Sequence, residues 1–209
     1  MQFWRSGNVM ADMCSGRLLS RALLPFCLTF MLASAQTAQK SATGKAAAHR
    51  ANEMTLAGLR PGRDSLARAA QVNKEFGKGK ELSGDQTVWF DPCRDQSLTV
   101  DNDKRKQIEE IRAAAWGGST ADCAGGPPSP WKTGLGLRVG DQTARVVQLY
   151  GQPDSRSPST RDGQPLELMY YAFDWAGPEV PQVMEVLCTK EKDGKSGRVV
   201  EITLAAPSL

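Results

Sequence analysis

The chain has 209 residues, of which 40% are hydrophobic and 23% charged, enough apolar material to bury a core and too much for a disordered chain. Of its 26 Lys and Arg and 23 Asp and Glu, three bases and one acid fall in the first 35 residues. The remainder is nearly neutral, 23 against 22, and lacks the basic excess that nucleic-acid binding expects. The one histidine, His49, excludes a zinc site built on two histidines and is the only residue a Ser-His-Asp or Cys-His machine could use.

In chain order, Arg17-Leu-Leu-Ser-Arg21, an apolar run over residues 22–32 and Ala33-Ser-Ala35 make a three-part secretory signal over residues 1–35, with cleavage expected before Gln36. The apolar run is about half as long as a bilayer crossing requires. Cys27 lies inside that run, and Leu24-Pro25-Phe26 lacks the small residue a lipid-attachment box places before its cysteine. The mature chain is therefore expected to be exported, periplasmic or extracellular, without a stable membrane anchor. Residues 36–52 are rich in Ala, Lys, Gln, Ser and Thr without apolar periodicity and read as a flexible leader that contains His49. Nine bases against three acids over residues 40–80 would suit weak contact with an anionic surface.

An internal repeat follows. Leu56-Ala-Gly-Leu-Arg-Pro-Gly62 and Gly134-Leu-Gly-Leu-Arg-Val-Gly140 coincide at an offset of 78 residues. Each copy then offers a hydroxyl N-cap, Ser65 or Thr143, and a short helix, over residues 66–76 and 144–150. Both helices end on an aromatic residue and a glycine suited to the left-handed C′ position, Phe76-Gly77 and Tyr150-Gly151. Strand-like segments come after each: 87–90, 97–100 and 107–113 in the first copy, 166–175, 183–189 and 198–204 in the second. Residues 107–113 suit a helix nearly as well, and the repeat decides for a strand. The expected fold is α+β: two tandem repeats over residues 53–116 and 132–209, each a short helix followed by a three-stranded antiparallel meander. A Gly/Pro-rich linker over residues 117–131 separates them.

Gly136-Leu-Arg-Val-Gly140, then Thr143, Val146-Val147 and Leu149-Tyr-Gly-Gln-Pro153, resembles the signature of the SmpA/OmlA family of outer-membrane-assembly lipoproteins. Two such units in tandem are similar in architecture to the secreted β-lactamase inhibitor protein. The resemblance covers about 70 residues of the second copy and is fainter in the first, where Gly77-Lys-Gly79 stands in place of Gly-x-Pro. It implies a fold rather than a function: the lipid-anchoring cysteine of that family has no counterpart here, and no inhibitor contact residue can be matched.

Three cysteines remain after the signal, Cys93, Cys123 and Cys188, and an oxidising compartment permits one disulfide among three possible pairings. Cys188 follows the apolar run 183–187 and reads as buried, which favours Cys93 with Cys123. The thiols show no C-x-x-C spacing, so no metal site is expected, and nothing calls for a cofactor.

Catalytic groupings are thin. Asp101 and Asp103 suggest a calcium loop, but Lys106 and Arg112 occupy the positions of its glycine and its bidentate glutamate, and a polar hairpin turn is preferred. Gly134-x-Gly136 before a capped helix could cradle a phosphate, but no dinucleotide-binding unit surrounds it, and a chain turn before a helix is preferred. Residues 155–160 read as a mobile loop. Glu185 and Glu201 could face each other across a hairpin as the paired carboxylates of a small hydrolase. Aromatics offer more: Tyr171, Phe173 and Trp175 share one strand face and Tyr170 the other, with Trp89 in the first copy. One face must line the helix, and the other can present aromatic surface to a partner. The leading expectation is an exported, non-enzymatic module that binds protein through an aromatic sheet face at Tyr170, Tyr171, Phe173, Trp175 and Trp89. Inhibition of a secreted or periplasmic enzyme is its special case, and a carboxylate hydrolase is the alternative.

Overall fold

The computed structural model describes residues 52–115, 117, 128–173, 183–190 and 197–206. All lie within the unit Lys45–Leu209. The expectations for the signal, the leader with His49, Cys27, Cys123 and Trp175 fall outside the described residues.

Eight strands form one antiparallel sheet: β1 (Lys80–Ser83), β2 (Gln86–Asp91), β3 (Gln96–Asn102), β4 (Ile108–Ala115), β5 (Ser155–Arg161), β6 (Gln164–Ala172), β7 (Val183–Thr189) and β8 (Val199–Ala205). Their order is β1-β2-β3-β4-β8-β7-β6-β5. This corrects the expected pair of three-stranded repeats in two ways. The two halves are continuous, because β4 and β8 pair from Glu110 against Ala205 to Ala114 against Glu201. Each half also carries a further strand at the sheet edge, β1 or β5. Those edge strands escape a periodicity reading because neither alternates: β1 is exposed at all four positions and β5 reads SRSPSTR. An edge strand needs a partner on one side only, which is where Pro158 and unbroken polarity are tolerated.

Residues directly opposite each other in neighbouring strands share a face. One row across the sheet therefore runs Trp89, Leu98, Ala113, Ile202, Val186, Met169, and the next Val100, Ile111, Leu204, Met184, Tyr171. All are buried, in one cluster with Ala69, Val146 and Tyr150 from the helix side. Each large side chain in these rows contributes roughly 1.5–3 kcal/mol of transfer free energy.

Helix α1 (Leu66–Val72) starts as expected, with Ser65 Oγ accepting from the Arg68 amide, and continues into a 3-10 turn, Lys74–Phe76. Helix α2 (Thr143–Tyr150) starts one residue early: Thr143 is its first residue, and Gln142 before it gives no side-chain cap. The buried Thr143 hydroxyl lies beside the Cys188 thiol instead. Burial pushes that thiol above its ordinary range. Gly77 and Gly151 follow the helices at φ of 79° and 76°, the conformation that favours glycine there. Cys93 is disulfide-bonded and Cys188 is a free buried thiol.

Two buried polar groups fasten the helix side. Trp131, expected in the linker, is 1% exposed and belongs to the core. Its ring lies 4.7 Å from that of Phe76, and its Nε1 donates at 2.8 Å to Asn73 Oδ1. Asn73 in turn donates to the Ala69 carbonyl at 2.9 Å, closing the end of α1.

Glu53 is the second fastening, a carboxylate only 2% exposed. Its Oε1 accepts from the amides of Met54 (2.9 Å), Thr55 (3.0 Å) and Gly134 (2.9 Å). Its Oε2 accepts from the Leu135 amide at 3.0 Å and the Tyr150 hydroxyl at 2.7 Å. The Tyr150 proton is committed to Glu53, so Thr133 must donate in its 2.6 Å contact with Tyr150, and Thr133 accepts from the Leu137 amide at 3.0 Å. A Cβ at position 134 would sit 2.6 Å from the carboxylate, so only glycine lets Glu53 reach these amides. Gly134 and Leu135 lie in the turn expected before α2, and their amides bind the chain's own Glu53 carboxylate.

Two outcomes follow from these contacts. Asn73→Ala leaves the Trp131 indole N–H buried without an acceptor and should cost about 1–3 kcal/mol, read as a lower urea midpoint with an unchanged slope. Burial, then the Glu53 carboxylate, hold the Tyr150 phenol far above its ordinary value. A raised pKa contributes stability that is fully present below the unfolded value, near 10 for tyrosine, and is lost as pH rises past it. The stability advantage of wild type over Tyr150→Phe, measured by denaturation at a series of pH values, should be constant to about pH 9 and shrink above about pH 10.

Candidate functional site

The opposite face of the sheet carries different chemistry. Its rows run Val88, Thr99, Arg112, Thr203, Glu185, Tyr170, and Ala114, Glu201, Leu187, Leu168, with Asp101, Glu110, Ala205 and Val183 alongside. None of these residues belongs to the core cluster, to which both helices contribute, so among the described residues no helix packs on this face. It is not simply a water-washed surface either. Val88 and Leu166 are each 3% exposed yet stand outside that cluster, and Leu168, Tyr170 and Leu187 are half-buried.

An ion-pair network crosses this face. Arg112 bonds to Glu110, and its Nε lies 3.9 Å from Glu201 Oε1. Arg161 bonds to Glu201 Oε2. Arg161 is on β5 and Glu201 on β8, separated by β6 and β7. That is about 14 Å along a flat sheet, which the two side chains bridge across the intervening strands. Glu201 is the most enclosed member at 14% exposure, against 37% for Arg112 and 35% for Arg161. Partial burial works against the Arg112 charge, but Glu110, Glu201 and Asp101 outweigh it and hold the guanidinium above its ordinary value.

The expected site residues divide between the two faces. Tyr171, Phe173 and Trp89 are 0%, 5% and 2% exposed and belong to the core, so they do not present a binding surface. Tyr171 packs its ring 5.8 Å from that of Tyr150 and donates to the Gly151 carbonyl at 3.2 Å. The reason is parity: Trp89 and Tyr171 occur in the rows that the helices cover. Tyr170, of opposite parity, is the expected residue that reaches the uncovered face. Leu168, Leu187, Arg112 and Arg161 were missed. The period of two placed Leu168 with Tyr170 and Leu187 with Glu185, but nothing local reveals that Arg161 spans two strands to meet Glu201.

The carboxylate-pair expectation is not met in geometry. Glu185 lies opposite Thr203 and Glu201 opposite Leu187, so the two acids are diagonal neighbours, and both Glu201 oxygens are engaged by guanidinium groups. Two clefts, about 590 and about 360 Å³, open near the start of α2. The first is lined by Asp141, Arg145 and Arg198 among others, the second by Arg156, Glu167 and Lys190 among others, and neither includes Glu185, Glu201 or an aromatic residue. Asp103 caps its own hairpin turn by accepting from the Arg105 and Gln107 amides, each at 2.8 Å.

No family model and no curated protein matches the chain. It is similar to the structure of a DUF4309 family protein (YjgB) from Bacillus subtilis, at 14% identity and a TM-score of 0.42, over 75% of this chain and 88% of that one. It is also similar to a cysteine-rich secretory protein from Staphylococcus aureus, at 12% identity and a TM-score of 0.34, over 69% of this chain. The chain spans 47% of the length of that second protein. Neither is an SmpA/OmlA protein or a β-lactamase inhibitor protein.

Proposed function

We propose that the chain is an exported, non-enzymatic interaction module that binds a protein partner on the uncovered face of its sheet. The observation that carries the reading is the patch formed by Leu168, Tyr170 and Leu187, half-buried, on a face that no described helix covers and beside a fixed ion-pair network. An apolar centre with a tyrosine and a charged surround is the composition of a protein-binding surface. Export rests on the secretory signal in residues 1–35, and no helix among the described residues is long and apolar enough to cross a membrane. Inhibition of an exported enzyme would use the same face. The hydrolase alternative has less support, since Glu201 is clamped by arginines and the two clefts near the start of α2 include neither Glu185 nor Glu201.

Tyr170→Ala and Leu187→Asp should each lower recovery of a bound protein from cell-envelope extract at least about tenfold while leaving the thermal midpoint close to that of wild type. Arg68→Ala, on the exposed side of α1, should recover the same protein as wild type. Equal recovery by all three variants would remove the uncovered face as the binding site.

A further inference from the structure

The uncovered face also defines the chemistry of what binds it, if the preceding reading of that face holds. It bears four acids, Asp101, Glu110, Glu185 and Glu201, against three bases, Arg112, Arg161 and, on the edge strand β1 opposite Val88, Lys80. Both arginines are committed, to Glu110 and Glu201. Asp101 accepts from Gln86 Nε2 at 2.7 Å and lies close enough to Arg112 to act on its charge. Glu185 is different: among the described residues it has no ion pair and no side-chain hydrogen bond, and its cross-strand neighbours are Tyr170 and Thr203. Leu187 is its neighbour on the same strand face.

An acid in that position is tolerated while water reaches it. Any partner that covers Leu168, Tyr170 and Leu187 also takes Glu185 out of water, because Glu185 stands between Tyr170 and Leu187. An ionised carboxylate desolvated without a counter-charge opposes binding strongly, whereas one met by a cation does not. A cation placed there would in addition lie against the Tyr170 ring. We propose that the partner presents a lysine or arginine side chain, flanked by apolar residues, to Glu185, and that Glu185 rejects partners lacking one.

Phage-displayed random dodecamers selected on the full chain provide the test, with the selected peptides then synthesised and their affinities measured by fluorescence anisotropy. Peptides selected on wild type should carry Lys or Arg beside Leu or an aromatic residue. They should require Tyr170 and bind Glu185→Gln about thirtyfold more weakly. Glu185→Arg should select acidic peptides in their place. Peptides that require Tyr170 and Leu187 but carry no basic residue and bind Glu185→Gln as well as wild type would overturn this inference and leave the binding face standing. Selection of no peptide that depends on Tyr170 would overturn both. Thermal midpoints of both Glu185 variants close to wild type would establish that the changes act on binding rather than folding.

Discussion

A buried carboxylate with no cation against it is costly unless hydrogen bonds replace the water it has lost. Glu53 meets that condition with four backbone amides and one phenol. The geometry joins three pieces of chain far apart in sequence: the segment before α1, the Thr133–Leu137 loop and the end of α2. Leu56 and Leu59 bond to each other through their backbones, and the Ala57 amide donates to the Lys132 carbonyl, so the anion and a short backbone pairing fix the same junction. With that junction made, Leu56, Leu59 and Leu137 are fully buried and complete the layer over the inner face. The Glu53 junction thus fixes the helix layer against the inner face of the sheet.

The sheet itself tolerates being covered on one side because its two faces differ in composition. Along β3 and β7 burial alternates at every residue, with Leu98, Val100, Met184 and Val186 inward. The outward residues are Ser97, Thr99 and Asp101 on β3 and Val183, Glu185, Leu187 and Thr189 on β7, a more polar set than the inward one, the division expected of an antiparallel sheet with one solvated face. The edges are closed to further pairing by the shortness and a register irregularity of β1 and by Pro158 and the arginines of β5. Addition of a further strand at either edge is thus disfavoured. The ion-pair network sets the electrostatic character of that face, with Glu201 held from both sides and Glu185 left over.

Much of the inner architecture was legible in the chain. The alternation of Leu98 with Val100 and of Met184 with Val186 marked strands, and Gly77 and Gly151 marked helix ends. The repeat of Leu59-Arg60-x-Gly62 in Leu137-Arg138-x-Gly140 marked the entry to each helix. The edge strands were not legible, because polar edges carry no period. The continuity of the sheet was not legible either, since pairing of β4 with β8 depends on contacts between residues some 90 positions apart. The candidate site was half visible: Tyr170 stood out, but the aromatic strand carries rings on both parities, and only the helix layer decides that Tyr171 and Phe173 turn inward. The glycines at 134 and 136 marked a turn, but the carboxylate that anchors it belongs to a glutamate 81 residues earlier.

The Glu53 carboxylate holds the helix layer on the inner face. Hydrogen exchange followed residue by residue in wild type and Glu53→Ala measures this directly. The Thr55, Gly134 and Leu135 amides should be strongly protected in wild type. In the variant these amides and those of α2 should lose protection, while β3 and β7 retain theirs. Undiminished protection of α2 and the Thr133–Leu137 loop in Glu53→Ala would mean that Glu53 does not hold the helix layer.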